Sequence, residues 1–330
     1  MTTRAAVLTS GGDSPGMNAA IRSVVRCGSE LGLTMFGVRR GYAGLIEGDM
    51  IPLDDRSVGG IIERGGTMLR SARSPEFLTS DGQHRALETL EENALDGLVV
   101  IGGNGTLSGA RWLSEQGVSV VGIPASIDND IPGTDMAIGV DTALNTVVEG
   151  LNRIRDTAVA HERAFVIEVM GRSSGYIALM AGLAGGAEIV LLPEFPRSLE
   201  DIANEVVGGV RKGKRHSIIV VAEGFRPTDT ELNGRSPGRA IVEHLQKAGT
   251  LETRLTIFGH VQRGGSPTAF DRILASRFGQ AAATWLAEGR VGVTAGLCNG
   301  AIAPVPLKAL SSSCENVERA LYRLVQIVAH

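Results

Sequence analysis

Two carboxylates one residue apart, Asp128 and Asp130, lie in the stretch Gly122-Ile-Pro-Ala-Ser-Ile-Asp-Asn-Asp-Ile-Pro-Gly133, where the apolar run Val118–Ile123 turns polar. In an extended loop, alternate side chains share a face, so both acids are expected to point at one target. Like charges that close disfavour each other unless a cation or a donor stands between them. The pair therefore suits a general base beside a metal or a phosphate-binding group. The plainer alternative is an Asx-rich turn with solvated acids.

Further stretches could handle an anion. Thr9-Ser-Gly-Gly-Asp-Ser-Pro-Gly-Met-Asn18 follows the apolar strand Ala5–Leu8 and leads into a helix with Ala19, Ala20, Ile21, Val24 and Val25 on its apolar side. Strand, glycine loop and helix N-terminus together offer bare N–H groups to a phosphate. No Gly-Lys-Ser/Thr closes the loop, so it is not a Walker A motif, and Gly213-Lys214-Arg215 does not supply one. Gly102-Gly-Asn-Gly-Thr106 leaves the strand Leu98–Ile101, and Thr67–Pro75 carries Arg70 and Arg73 beside glycines.

The elements that must position these loops alternate. Strands are predicted at Ala5–Leu8, Thr34–Val38, Leu98–Ile101, Val118–Ile123, Phe165–Val169, Ile189–Leu192, Ile218–Val221 and Leu255–Phe258. Helices are predicted from 107 to about 116, over Asp141–Thr157 with Asp141 or Thr142 as cap, over 176–184 and 199–211, from Ser236 to about 248, over 268–287 and over Glu315–Val328. A short helix is expected over Gly59–Glu63, and Gly41–Gly44 reads as a glycine turn. Such alternation gives parallel sheets whose ligands bind at the carboxyl ends of the strands. The loops 9–18, 102–106 and 124–133 all leave strands at that edge. The fold class expected is α/β, with two doubly wound domains, mainly parallel sheets and helices on both faces.

With 330 residues, 43% hydrophobic and 21% charged, the chain has room for about two domains and an ordinary globular composition. The 44 glycines against 4% aromatics suit tight loops at a ligand. A net charge of −4 argues against nucleic acid and anionic membranes as partners. Cys27, Cys298 and Cys314 show no metal or redox spacing. No apolar run approaches a membrane span, and no leader is visible, so a cytoplasmic protein is expected.

Taken together the motifs resemble the 6-phosphofructokinases, in their bacterial ATP-dependent form. The resemblance rests on Leu8–Arg22, on Pro124-Ala-Ser-Ile-Asp-Asn-Asp130, on Val169-Met-Gly-Arg172 and on Gly259-His-Val-Gln-Arg-Gly-Gly-Ser-Pro267, in that order over most of the chain. It implies transfer of the ATP γ-phosphoryl group to O1 of fructose 6-phosphate, with Mg2+, in a homotetramer. Asp128 matches the base, with Asp130 beside the metal and Ser126 (usually threonine) near the transferred group. Arg172 matches the arginine that stabilises that group. Gly11, Arg73, Gly103, Asn104, Gly105 and Thr106 match the nucleotide site, and Asn104 and Asp130 the metal site. Met170, Gly171, Glu223, His260 and Arg263 match sugar-phosphate contacts, with Arg163 and Arg254 donated to a neighbouring subunit. Arg22, Arg26, Arg155, Glu188, Lys212 and Lys214 match an effector site for ADP or phosphoenolpyruvate. The larger, nucleotide-binding domain would take 1–139 plus about 255–305, and the smaller, sugar-phosphate domain 140–254 plus about 306–330.

Three further departures stand out, at Asn104, at Ala125 and around Asp54-Asp55-Arg56. Asn104 replaces a usual aspartate, which predicts weaker metal affinity. Gly105 and the small Ala125 favour ATP over pyrophosphate as donor. Asp54-Asp55-Arg56 puts acid where the effector site expects an arginine, so weak or altered allostery is expected. Three rival readings remain: a serine hydrolase on Gly171-Arg-Ser173-Ser-Gly175 with His216, His244 or His260 as base; a dinucleotide oxidoreductase on Gly103-x-Gly105-x-x-x-Gly109; and a regulatory homologue weakened by Asn104.

Overall fold

A computed structural model describes residues 3–249, 251–311 and 317–329. In chain order the elements are β1 (Arg4–Ser10), α1 (Met17–Glu30), β2 (Thr34–Val38), α2 (Tyr42–Glu47), β3 (Met50–Leu53), α3 (Ser80–Glu92), β4 (Gly97–Gly102), α4 (Asn104–Glu115), β5 (Val120–Pro124) and α5 (Val140–His161). They continue with β6 (Ala164–Val169), α6 (Tyr176–Ala184), β7 (Ile189–Leu191), α7 (Leu199–Arg211), β8 (Ser217–Ala222), α8 (Pro237–Ala248), β9 (Thr253–Ile257), α9 (Ala269–Ala287), β10 (Val293–Cys298), β11 (Ala301–Pro306) and α10 (Arg319–Val328).

The chain divides into two compact units, Met1–Thr142 with Arg263–Cys314 and Ala143–Gln262 with Glu315–His330. The first holds a seven-stranded sheet in the order β11-β10-β5-β4-β1-β2-β3. Its interior is parallel, and antiparallel strands β3 and β11 close the two edges. The second holds a parallel sheet in the order β7-β8-β6-β9. The fold is thus α/β with mainly parallel sheets, as expected.

The interior strands are buried along their whole length in β4, β5 and β8. Unbroken apolar runs such as Leu98–Ile101 follow from cover on both faces of a parallel sheet. In the first unit, Val7, Val99, Ile101, Val121 and Ile123 pack with Met17, Ile21 and Val24 of α1 and Leu274 and Phe278 of α9. The second unit has its own core around Val166, Ile219, Phe225 and Ile241. Helix starts follow local chemistry: Ser198, Ser236 and Thr268 each accept the N–H three residues on, and Pro237 opens α8.

Several expectations need correction. The expected return of the chain to the first unit near 255 falls instead at Arg263, because Thr253–Ile257 pairs with β6 in the smaller sheet. Gly59–Glu63 forms turns rather than a helix; Gly60 (φ 62°) and Gly66 (φ 65°) take left-handed backbone that a helix cannot carry. Only Gly41 of the expected glycine turn is a turn residue, and α2 follows it. Elements β3, α3, β10 and β11 add to those expected. The start of α5 is also held from far along the chain: the N–H groups of Gly139 (2.9 Å) and Thr142 (2.8 Å) donate to the carboxylate of Asp271, 129 or more residues away. Cys27 and Cys298 are free thiols, while Cys314 and the expected helix residues Glu315 and Asn316 lie outside the described residues. No helix among the described residues is long and apolar enough to cross a membrane.

Candidate active site

The loop after β5 is a closed excursion. Ser126 N–H donates to the Ile138 carbonyl (3.1 Å) and Ile138 N–H to the Pro124 carbonyl (3.1 Å), so the chain returns to the strand it left. Ile127 and Ile131 are fully buried anchors within it. The two acids are therefore not in extended backbone. Asn129 between them has φ 47°, in the left-handed region. Its side chain fixes that bend: Nδ2 donates to the Asp135 carbonyl (3.2 Å) and Oδ1 accepts from Ala137 N–H (3.0 Å). Asp128 is buried at 2% exposure, whereas Asp130 is half-buried. Ser126 joins them, its hydroxyl accepting from Asp128 N–H (3.2 Å) and donating to Asp130 Oδ1 (3.3 Å). A left-handed asparagine and a serine bridge, not the alternation of an extended loop, place the two acids.

Neighbouring strand-end loops are tied to this one. Asn104 Nδ2 donates to the Asp130 carbonyl (3.1 Å) and Thr106 Oγ1 to the Ser10 carbonyl at the end of β1 (2.9 Å). Ser71 Oγ donates to the Gly11 carbonyl (2.6 Å) and Gly11 N–H to the Ala72 carbonyl (3.4 Å), which fixes the loop carrying exposed Arg73. Arg263 Nη1 donates to the Asp13 carbonyl (3.0 Å). A Cβ on Gly12 would lie 2.9 Å from that nitrogen, so the guanidinium rests on bare backbone. Gly11, Arg73, Gly103, Asn104, Gly105, Thr106, Ser126, Asp128, Asp130 and Arg263 therefore belong to one set of loops in the first unit. A Cβ on Gly105 would meet nothing within 4 Å, so glycine there leaves open space.

The second unit presents Arg163, Met170, Gly171, Arg172, Glu223, Arg254 and His260. Arg172 is exposed with φ 53°, and Gly171 before it has φ 144°. Glu223 Oε1 accepts from both of their N–H groups, at 3.2 Å for Gly171 and 2.8 Å for Arg172. Gly224 lets the Arg172 carbonyl approach; a Cβ there would stand 2.1 Å from it. Met170 is buried and His260 exposed. Arg163 Nε donates to Glu252 Oε2 (2.7 Å), and Arg254 donates to the other oxygen of the same carboxylate. Glu252, two residues before Arg254, was not among the expected residues, and it pairs the two arginines.

Of the expected effector residues, Glu188, Lys212 and Lys214 line a cavity of about 180 Å3 with His216. Arg155 reaches it through Glu188 (3.8 Å). Arg22 and Arg26 lie apart from these in sequence, on α1. Arg26 Nη2 donates to the Asp55 carbonyl (3.3 Å), next to Asp54. Hydrogen bonds from the Ser57 hydroxyl and N–H hold the Asp54 carboxyl below the usual range, so it is an anion at neutral pH.

The hydrolase reading lacks its geometry. In a nucleophile elbow the strain sits on the serine; here it sits on Arg172, and among the described residues no histidine hydrogen-bonds Ser173.

Glycine loops gathered at the carboxyl ends of parallel strands, around a buried acid, mark an α/β protein that handles a phosphorylated ligand. Comparison with known proteins narrows this. Residues 4–286 match the phosphofructokinase family model. The chain is 52% identical over 329 residues to ATP-dependent 6-phosphofructokinase 1 of Thermus thermophilus, covering 99% of each. It is 50% identical over 327 residues to the ATP-dependent 6-phosphofructokinase of Halothermothrix orenii, covering 98% of each. A solved phosphofructokinase from Pichia pastoris superposes with a TM-score of 0.88 at 36% identity, over 94% of this chain and 35% of that one. A pyrophosphate-dependent phosphofructokinase from Marinobacter aquaeolei shares the fold (TM-score 0.83, 20% identity, 99% of this chain and 91% of that one). The chain belongs to the phosphofructokinase family.

Proposed function

We propose that this chain moves the γ-phosphoryl group of ATP to O1 of fructose 6-phosphate, giving fructose 1,6-bisphosphate and ADP. The observation that carries the reading is the buried Asp128 in a loop hydrogen-bonded to the glycine loop after β4. The full-length relatives named as ATP-dependent enzymes support the choice of donor. Asp128 takes the proton from the sugar 1-hydroxyl, and Ser126 keeps Asp130 turned toward the same loop. The glycine loop at Gly11 and the backbone N–H groups of Gly103 to Thr106, with Arg73, bind the triphosphate. Arg172 absorbs negative charge on the transferred group. His260 and Arg263 bind the sugar 6-phosphate, Met170, Gly171 and Glu223 the sugar, and Arg163 and Arg254 the 6-phosphate of a neighbouring subunit in a homotetramer.

Mg2+ is usually held by one or two carboxylates plus substrate phosphates. Asp128 and Asp130 are the carboxylates here, and among the described residues no group of three or more His, Cys, Asp and Glu could hold an ion. These residues fit a cation held chiefly by the nucleotide, with Asp130 and the Asn104 amide oxygen as further donors. When bound it supplies charge neutralisation on the phosphates. Arg22, Arg26, Arg155, Glu188, Lys212 and Lys214 take ADP or phosphoenolpyruvate, with a response weakened by the Asp54 anion. The protein works in the cytoplasm.

A coupled assay with fructose 6-phosphate, run separately with ATP and with pyrophosphate, tests the reading. Turnover is expected with ATP alone. Turnover confined to pyrophosphate overturns the donor, and turnover with neither overturns the function. A second measurement concerns Glu223. Left-handed backbone at a non-glycine residue costs of order 1–3 kcal/mol, and the two N–H bonds to Glu223 help offset that cost at Arg172. Glu223→Ala is expected to lower kcat by about tenfold or more. Glu223→Gln retains the accepting oxygen and should keep most of kcat. Equal losses in both variants would show that charge, not hydrogen bonding, is what matters there.

A further inference from the structure

Asn104 is the first residue of α4, where the helix dipole favours an acid. It is instead an amide, and its nitrogen is committed: Nδ2 donates to the Asp130 carbonyl at 3.1 Å. The surroundings add to this tie. Ala125 N–H donates to the Gly102 carbonyl (3.0 Å), and a Cβ on Gly103 would sit 3.7 Å from the Ala125 carbonyl, so the two loops run closely side by side. The Asp130 carboxylate is meanwhile engaged by Ser126 Oγ at 3.3 Å. An aspartate at 104 has no donor. It would set carboxylate oxygens against the Asp130 carbonyl, an acceptor facing an acceptor, and only a cation between them would restore the contact.

We infer that Asn104 is a positioning residue that fastens the loop after β4 to the loop after β5 without a metal, so that Mg2+ enters only together with the nucleotide. The inference concerns this chain's own amide, and only its last clause rests on the phosphoryl-transfer reading. In physical terms the side chain substitutes one neutral hydrogen bond for an ion bridge. The loops bearing Asp128 and Asp130 are then arranged before any ligand arrives, and the protein alone has too little negative charge to hold the ion.

Thermal unfolding of the full-length chain tests this, with and without millimolar MgCl2 and with NaCl of matched ionic strength as control. The unsubstituted protein is expected to keep its Tm when MgCl2 alone is added, and to gain stability when ATP is added with it. Asn104→Asp is expected to lower Tm by about 2–4 °C in metal-free buffer, and MgCl2, but not NaCl, should restore it. Asn104→Ala should fall by a similar amount and not be restored by MgCl2. A Tm that rises with MgCl2 alone in the unsubstituted protein overturns the inference, as does an Asn104→Asp variant indifferent to Mg2+. If the metal pattern appears but ATP with MgCl2 moves nothing and no turnover is seen, the strut stands and the kinase reading falls.

Discussion

Asp128→Asn is expected to lower kcat for phosphoryl transfer by about 10²- to 10⁴-fold, the range that a positioned general base contributes. The substitution is nearly isosteric. Asp128 is buried at 2% exposure, its N–H is held by Ser126, and the bend beside it is set by Asn129. The loop therefore has little reason to move, and KM values should stay near those of the parent, the pattern of an interaction made only in the transition state. The amide can still accept a hydrogen bond from the sugar hydroxyl but cannot take its proton. Steady-state rates in the coupled assay, backed by single-turnover measurements, give the number. A kcat within about threefold of the parent would remove Asp128 from the role of base, since that is well under the smallest expected loss.

The second large effect is on stability. Asp271 is fully buried and accepts three hydrogen bonds, from Gly139 N–H (2.9 Å), Thr142 N–H (2.8 Å) and the Thr142 hydroxyl (2.5 Å). Its own N–H donates to Thr268 at the start of α9 (3.3 Å). One carboxylate thus holds the first turn of α5 to the first turn of α9. Asp271→Ala strands two buried N–H groups and a hydroxyl, each at about 1–3 kcal/mol, so a loss of about 3–5 kcal/mol is expected in the first transition of a urea melt. A loss under about 1 kcal/mol, the size of an ordinary substitution, would show that water replaces the carboxylate.

The pH dependence has a definite sign. Burial pushes the Asp271 carboxyl above its ordinary value, against the lowering effect of the Thr142 and Gly139 donors. The folded chain then takes up this proton at a higher pH than the unfolded chain does. Stability from this group therefore rises as pH falls from the raised folded value toward the ordinary one near 3.8, and declines as pH climbs back through that window. Asp271→Asn should lack this slope.

How much of this could be read from residues alone depends on the range of the cause. Short-range causes were legible. The apolar runs at Leu98–Ile101 and Ile218–Val221 became β4 and β8, and Ser236-Pro237 and Thr268 opened helices through their own side chains. The glycine loops were legible because bare backbone at a strand end has few other uses. Long-range causes were hidden. Thr253–Ile257 reads as a strand on either sheet, and only its pairing with β6 decides which. The start of α5 carries two good capping residues, but nothing near them in sequence points to Asp271, which accepts two N–H groups there. Glu223 read as a sugar contact, and its hold on the Arg172 backbone depends on a hydrogen bond across 51 positions. Asn129 was the missed opportunity. Asparagine is among the few residues that tolerate left-handed backbone, and its place between two acids pointed to a bend.

Both units are assembled from separated stretches of chain, and this governs the order in which they can form. Strand β10 pairs with β5 through Val293 opposite Val121 and Thr294 opposite Gly122, so the larger sheet has an open flank until nearly the whole polypeptide has left the ribosome. The last helix, α10, returns to pack on α6 and β7 of the other unit. At 5–20 residues per second, the wait between those two strands lasts on the order of ten seconds. During that interval β5 presents unpaired backbone to any other nascent strand, which makes synthesis, rather than the finished molecule, the moment of greatest aggregation risk.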